Sequence, residues 1–297
     1  MRNHGPHSFR GTYDYYIEFR PRIPEKVINI IIQYFDLCPT DRILDIGCGT
    51  GQVALAMDGR CKEITCLDPD PEMIVRAKEM TKDSKTKLTW INKRAEELSE
   101  IKEKLGSFKL ATSSRAFHRV NQDQVLKTLD SLIEQEGGIS LFSDRTIWQG
   151  QEDWQGELEK IVKRYSKDEK LSNGNQKPNG SWEDSLSRSK FNYVITRQVS
   201  ITRSWSIEGI IGYVFSTSFA NPYVVGNKLN QFKKEIKDKL LSTNPEGKFQ
   251  EKAVWSIVLG SRRPLTDFYD NKEDLPPSKN FIPSEVKSSD PGSFKEN

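Results

Sequence analysis

Gly47, Gly49 and Gly51 punctuate ILDIGCGTGQVALA between an apolar run and a helix-period segment. Without Cβ atoms the backbone there can turn sharply and approach a ligand closely, so the loop is a candidate cradle. Read from Gly49, the same residues also satisfy GxGxxA, ending at Ala54. That pattern belongs to dinucleotide sites, and the glycines alone leave two kinds of nucleotide ligand open.

Charge separates them. Asp45 ends the apolar run, two residues before Gly47. A carboxylate there repels the pyrophosphate that a helix N-terminus otherwise attracts. S-adenosyl-L-methionine carries an ammonium and a sulfonium and no phosphate, so Asp45 becomes an attractive partner. The loop therefore favours the methyl donor over NAD. Asp68 follows about twenty residues after the glycines, where a carboxylate can accept both ribose hydroxyls. Its alternative role is N-cap of a helix starting at Pro69 or Pro71. Met73 on that helix is a candidate to pack on adenine, with core packing as the alternative.

In this order along the chain, YDYYIEFRPRIP, DIGCGTG, LDPDPEM, NKRAEEL and AFHRV resemble motifs of class I S-adenosylmethionine-dependent methyltransferases. The resemblance is to the small-molecule group that includes the trans-aconitate and ubiquinone-pathway type enzymes, and it covers residues 13–263. It implies that Asp45, Gly47, Cys48, Gly49 and Gly51 line the methionine end, that Asp68 and Pro69 meet the ribose, and that Met73, Ala95 and Glu96 lie near adenine. Arg94 stands where many relatives carry an acid, and Arg119 where many carry Trp. Arg20 would reach the cofactor carboxylate, a task suited to a guanidinium fork. Tyr16 would close over the site, plain packing of a Tyr-rich N-terminus being the alternative. Ser113 and Ser114 would touch cofactor or substrate, or else form the local turn.

Methyl transfer from a sulfonium is an in-line displacement, so the protein chiefly aligns donor and acceptor and excludes water. No metal is demanded. An acceptor that must lose a proton needs a base, and His118, the one histidine beyond the first ten residues, is the candidate. Its alternative is to fix the turn. Trp148, Trp154, Tyr213 and Phe219 suit an aromatic acceptor pocket, although aromatic residues in such patterns are more often core. The expected function is methylation of a small-molecule acceptor at O, N or C, in secondary metabolism as one setting. An RNA or protein methyltransferase, an NAD-dependent oxidoreductase and a non-catalytic cofactor binder are the rivals.

These residues need a scaffold. RILDIG, EITCLD, LTWI, FKLATS and GISLFS read as five strands separated by helical segments, the sequence form of a parallel sheet wrapped by helices. The expected fold is α/β, a Rossmann-like seven-stranded, mostly parallel sheet with helices on both faces and an inserted lid after the fifth strand. FNYVITRQVSITRSW and KAVWSIVLGS supply the last two strands, and SIEGIIGYVF a helix. Gly137 and Gly138 are expected to cap the helix before the fifth strand. The expected divisions are an N-terminal helical lid at 1–40, a cofactor-binding core at 41–148, an inserted cap at 149–190, the rest of the core at 191–263 and a disordered tail at 264–297.

With 45 basic against 42 acidic residues among 297, the chain lacks the basic excess of nucleic-acid binders, so nucleic acid is disfavoured as a partner. Four cysteines without a CxxC pair support neither a zinc site nor a disulfide framework. No stretch has the apolar length of a signal-peptide core or a spanning helix, which gives the expectation of a cytoplasmic protein without membrane contact. A homo-oligomer is left open.

Overall fold

Adjacent residues of the first strand, Ile43 and Leu44, are both fully buried and belong to different core layers. Such double burial is what a parallel strand covered by helices on both faces requires. The computed structural model describes residues 11–145, 147–166 and 180–264. Its seven strands are β1 (Arg42–Ile46), β2 (Glu63–Asp68), β3 (Lys87–Asn92), β4 (Phe108–Ser114), β5 (Ile133–Asp144), β6 (Tyr193–Ser206) and β7 (Lys248–Ser261). They form one sheet in the order 3-2-1-4-5-7-6. The first five are parallel, and β7 runs antiparallel to both β5 and β6.

One face of the sheet is covered by α2 (Glu25–Phe35) and α3 (Gln52–Ala56), the other by α5 (Leu98–Leu105), α6 (Gln122–Leu132) and α8 (Trp182–Ser187). α2 belongs firmly to the core: Val27, Ile28, Ile31 and Phe35 are essentially inaccessible, each such burial contributing about 1.5–3 kcal/mol. By contrast α1 (Tyr13–Phe19) has no fully buried residue and packs on α9 (Ile207–Phe215) and α4 (Pro71–Met80). A third apolar cluster joins α7 (Asp153–Tyr165), α9, α10 (Pro222–Val225) and α11 (Leu229–Thr243), with Phe249 of β7. Trp148, Trp154 and Tyr213 are buried there and Phe219 packs against it, the core alternative for these aromatics.

The expectation that Gly137 and Gly138 cap a helix is overturned. α6 stops at Leu132, Ile133 already belongs to β5, and both glycines lie inside that strand. A Cβ on Gly138 would stand 2.3 Å from the Gly260 carbonyl oxygen and 2.5 Å from Phe35 Cε1. The glycine thus permits close approach of β7 and α2 rather than a left-handed turn. The centre of the insertion and the tail beyond residue 264 lie outside the described residues. Among the described residues no helix is long and apolar enough to cross a membrane.

Candidate cofactor and active site

β1 pairs with β2 on one side and β4 on the other. The strand order reverses there, and a crevice opens beyond the C-terminal ends of the strands. About 870 Å³ there is free of protein atoms, the solvent at its open mouth included. Ile46 and Gly47 at the end of β1, Leu67 to Asp70 at the end of β2, Lys93 to Glu96 after β3, and Ser114, Arg115, Ala116, Arg119 and Val120 from the end of β4 onward line it, with Met73 of α4 and Tyr16 of α1.

The glycine loop does two jobs at two positions. Gly47 has φ +70°, and a Cβ on it would lie 2.5 Å from Ala116 Cβ, so a side chain there would push the β1 and β4 turns apart. Gly49, at φ +52°, has nothing within 4 Å of its would-be Cβ and faces open space. Its amide donates to Asp68 Oδ2 at 2.8 Å, while Asp68 Oδ1 accepts from the Asp70 amide at 2.9 Å. Asp68 therefore ties the loop to the start of α4. The N-cap of α4 is Asp70, whose Oδ1 accepts from the Glu72 amide at 3.0 Å; the alternative of Asp68 as that cap does not hold. Tyr13 Oη donates to Asp70 Oδ2 at 3.2 Å.

The site's acids are held in an uncomfortable state. Asp45 is fully buried; Oδ1 accepts from Thr112 Oγ1 at 2.9 Å, and Oδ2 has no partner. Burial, opposed by the Thr112 bond and reinforced by the charge of Asp68, pushes its pKa from 3.8 up to about 7. Asp68 is raised to about 6, again chiefly by burial, with the Asp70 and Gly49 amides pulling it down. Ser114 Oγ is a second buried atom without a partner. Two desolvated carboxylates beside a glycine loop suit a cationic ligand and disfavour a phosphate. The residues thus fit S-adenosylmethionine, with Asp45 behind the loop and Asp68 tied to it.

Of the residues singled out in the sequence, Tyr16, Gly47, Gly49, Asp68, Pro69, Met73, Arg94, Ala95, Glu96 and Ser114 line the crevice. Glu96 is oriented by the Asn121 amide, which donates to Oε1 at 2.8 Å. The others are not brought to its wall. Asp45 and Cys48 are buried behind it, and burial raises the Cys48 thiol well above its ordinary value. Gly51 faces Thr81, Ala77 and Trp90 instead, serving helix and strand packing. Ser113 Oγ donates to the Ile46 carbonyl at 2.8 Å, pinning β4 to β1. Arg20 lies over the rings of Tyr16 and Tyr213, at 5.1 and 4.6 Å, and donates to Tyr213 Oη at 3.3 Å. His118 is exposed on the turn Phe117–Arg119, and Arg119 takes the inward place.

Sequence reasoning missed Arg115. It has a left-handed backbone at φ 56° and a side chain 10% exposed. A pattern of neighbours carries no signal for it, because its partners are far along the chain.

A family model described as a methyltransferase domain matches residues 43–137. A candidate S-adenosylmethionine-dependent methyltransferase of Saccharomyces cerevisiae is 28% identical over 130 residues, 43% of this chain and 44% of that protein. A candidate cobalt-precorrin-6B C(15)-methyltransferase of Methanococcus vannielii is 33% identical over 60 residues, 20% of this chain and 33% of that protein. The matched stretches therefore span less than half of either relative. Among solved structures, a candidate type II methyltransferase from Anaeromyxobacter dehalogenans superposes with TM-score 0.54 at 16% identity, covering 82% of this chain and 98% of the other. A candidate methyltransferase from an antibiotic biosynthesis pathway of Anabaena variabilis gives TM-score 0.51 at 16% identity, over 80% and 98% of the two chains. Those two likenesses speak for the fold. The family-model match and the yeast relative show a class I S-adenosylmethionine-dependent methyltransferase domain, matched over residues 43–137.

Proposed function

We propose that the protein transfers a methyl group from S-adenosylmethionine to an O, N or C atom of a small-molecule acceptor. The observation that carries this reading is the unpartnered Oδ2 of fully buried Asp45 behind the glycine loop, which suits a cation and repels a pyrophosphate. When bound, the cofactor supplies an electrophilic methyl group on a sulfonium. Asp68 takes the ribose hydroxyls, Met73, Ala95 and Glu96 bound the adenine, and Arg20 and Tyr16 approach the methionine end from the N-terminal segment.

The acceptor meets the turn after β4. Ser114, Arg115, Ala116 and Arg119 line it, and none is a base of ordinary pKa near neutrality. His118 lies outside that lining, so the proposed work of the protein is alignment and water exclusion, and no base is assigned. The division into an N-terminal lid and an inserted cap is part of this reading. Tyr16 supports the first. Trp148 supports the second: at the base of the insertion it packs edge-on against Tyr213 at 6.0 Å, and Tyr213 accepts the Arg20 bond.

Thermal-shift titration tests the cofactor: S-adenosylhomocysteine should stabilise the protein and NAD should not. The reverse result sinks the proposal. Labelled methyl donor incubated with metabolite fractions tests the acceptor, and incorporation should survive removal of RNA and protein from the extract. Antibiotic biosynthesis, the pathway named for the Anabaena protein, supplies the first acceptors to screen.

A further inference from the structure

Arg115 departs from the backbone rules followed around it. Asp36 and Arg115 are the described non-glycine residues with positive φ. A left-handed arginine persists only where its surroundings over-determine it. The turn is what sets Ala116 against Gly47, and the guanidinium is committed on every edge. Nε donates to Asp144 Oδ1 at 2.6 Å, Nη1 to Gln52 Oε1 at 2.8 Å and Nη2 to the Pro21 carbonyl at 3.1 Å, while Cζ lies over the Trp255 ring, 4.6 Å from its centroid.

The partners fall into two groups. Asp144 and Trp255 belong to β5 and β7 and hold the cation on the sheet. Gln52 is the first residue of α3, immediately behind the glycine loop, and Pro21 ends the segment that presents Tyr16 and Arg20. The same segment is pinned at its other end to α4, through Tyr13 to Asp70 and an ion pair of Asp14 with Arg76 at 3.4 Å. One planar group thus fixes both the loop that holds the cofactor and the strap that crosses it. Asp144 does not depend on Arg115 alone for neutralisation, since Arg203 Nη2 donates to its Oδ2 at 2.8 Å. A lysine at 115 would keep the charge but could not serve Gln52, Pro21 and the Trp255 face together.

We propose that Arg115 is a positioning residue that fastens residues 13–21 across the cofactor cleft and acts on cofactor binding through Gln52 and the Pro21 carbonyl. The proposal rests on the methyl-donor reading for its functional consequence, though its structural half stands without it.

Hydrogen exchange on the ligand-free full chain, followed by calorimetric titration with S-adenosylhomocysteine, tests both halves. Arg115→Lys should speed amide exchange in residues 13–21 about tenfold, leave β1 and β4 protected, and weaken S-adenosylhomocysteine about tenfold. Gln52→Ala, which spares the Asp144 pair, should give a smaller change of the same kind. The double variant should be no weaker than Arg115→Lys by more than about twofold, because the two act through one link. Unchanged exchange at 13–21 in a folded Arg115→Lys protein overturns the proposal, as does full additivity in the double variant. If Arg115→Lys does not fold, Gln52→Ala decides, and unchanged exchange there also overturns it. Failure of the wild-type protein to bind S-adenosylhomocysteine would instead strike the methyl-donor reading, while the exchange result still decides the fastening.

Discussion

Asp45 and Asp144 sit at the C-terminal ends of β1 and β5 on the same edge of the sheet, both withdrawn from water, and their electrostatic fates are opposite. Asp144 has two guanidiniums: Arg115 at 2.6 Å and Arg203 at 2.8 Å hold its carboxyl below the ordinary value despite burial. Asp45 has one hydroxyl and no cation, and burial lifts it to about 7. A doubly paired buried acid is scaffold, whereas a buried acid left short of a partner is a place where a ligand's charge can be spent. The contrast extends to their surroundings. Arg203 also pairs with Glu251 at 3.7 Å, and Glu251 accepts from Trp205 Nε1 at 2.8 Å, so both acids at the β5–β6–β7 end face a cation. Asp45 is left with no cation, and its Oδ2 with no partner.

The largest effect should come from breaking the doubly paired acid. Asp144→Ala leaves Arg115 and Arg203 without their shared carboxylate and should cost about 3–5 kcal/mol, read from urea unfolding at pH 7. The sign in pH follows from its lowered value. A carboxylate with a depressed folded pKa stabilises fully above the unfolded value near 4 and loses that contribution as pH falls through the folded one. The difference between wild type and Asp144→Asn should therefore be present at pH 7 and shrink in acid. A loss under 1 kcal/mol at pH 7 would remove the contrast between the two acids.

At the β1–β2 end, Asp68→Ala should weaken S-adenosylhomocysteine by about 1.5–3 kcal/mol, through lost ribose hydrogen bonds and loss of the acceptor for the Gly49 amide. Calorimetry checks it, and unchanged affinity would reduce Asp68 to a loop anchor.

Asp45 predicts a pH dependence of smaller size. Its folded pKa is raised from 3.8 to about 7, so the ligand-free fold loses stability as pH climbs through that window and gains nothing above it. Binding a cation requires the ionised form. Affinity for S-adenosylhomocysteine should then fall about tenfold from pH 8 to pH 6, with protons released on binding at the lower pH. Asp68, raised to about 6, steepens the decline at its acid end. Asp45→Asn should bind more weakly at pH 8, flatten the profile and stabilise the ligand-free protein there. A profile as steep in the variant as in wild type would assign the pH dependence to Asp68.

What the sequence displayed follows the range of the interactions. α4 was legible as a helix starting at Pro69 or Pro71, because proline in its first turn, apolar spacing and a basic last turn are local signals, and it starts at Pro71. Gly49 and Asp68 were legible because a strand, a glycine turn and a second strand end occupy fixed separations. For Ser113 the sequence leaves a ligand contact and a local turn both open; the hydroxyl instead donates to the Ile46 carbonyl across the sheet, a direction set by pleat and pairing with β1. Gly137 and Gly138 look like a helix stop until the strand that crowds them is known. Arg115 was invisible: the Pro21 carbonyl and Asp144 lie 94 and 29 residues away, and a bond to a backbone carbonyl leaves no mark on residue type.

The smallest effect concerns the turn after β4, where one residue of rotation decides which side chain enters the crevice. In Phe117–Arg119 the first residue is buried in the core, the second is exposed and the third lines the cleft. Exposure leaves His118 without the water-excluded contact to an acceptor that a general base needs. His118→Ala should hold turnover within about twofold and leave S-adenosylhomocysteine affinity unaltered, whereas Arg119→Ala on the same turn should change acceptor KM or cofactor affinity severalfold. Steady-state kinetics on the pair, once an acceptor is in hand, makes the comparison. A loss of turnover beyond about a hundredfold in His118→Ala, with cofactor binding intact, would mean that the turn re-orients on binding and that the histidine, not the arginine, faces the methyl group.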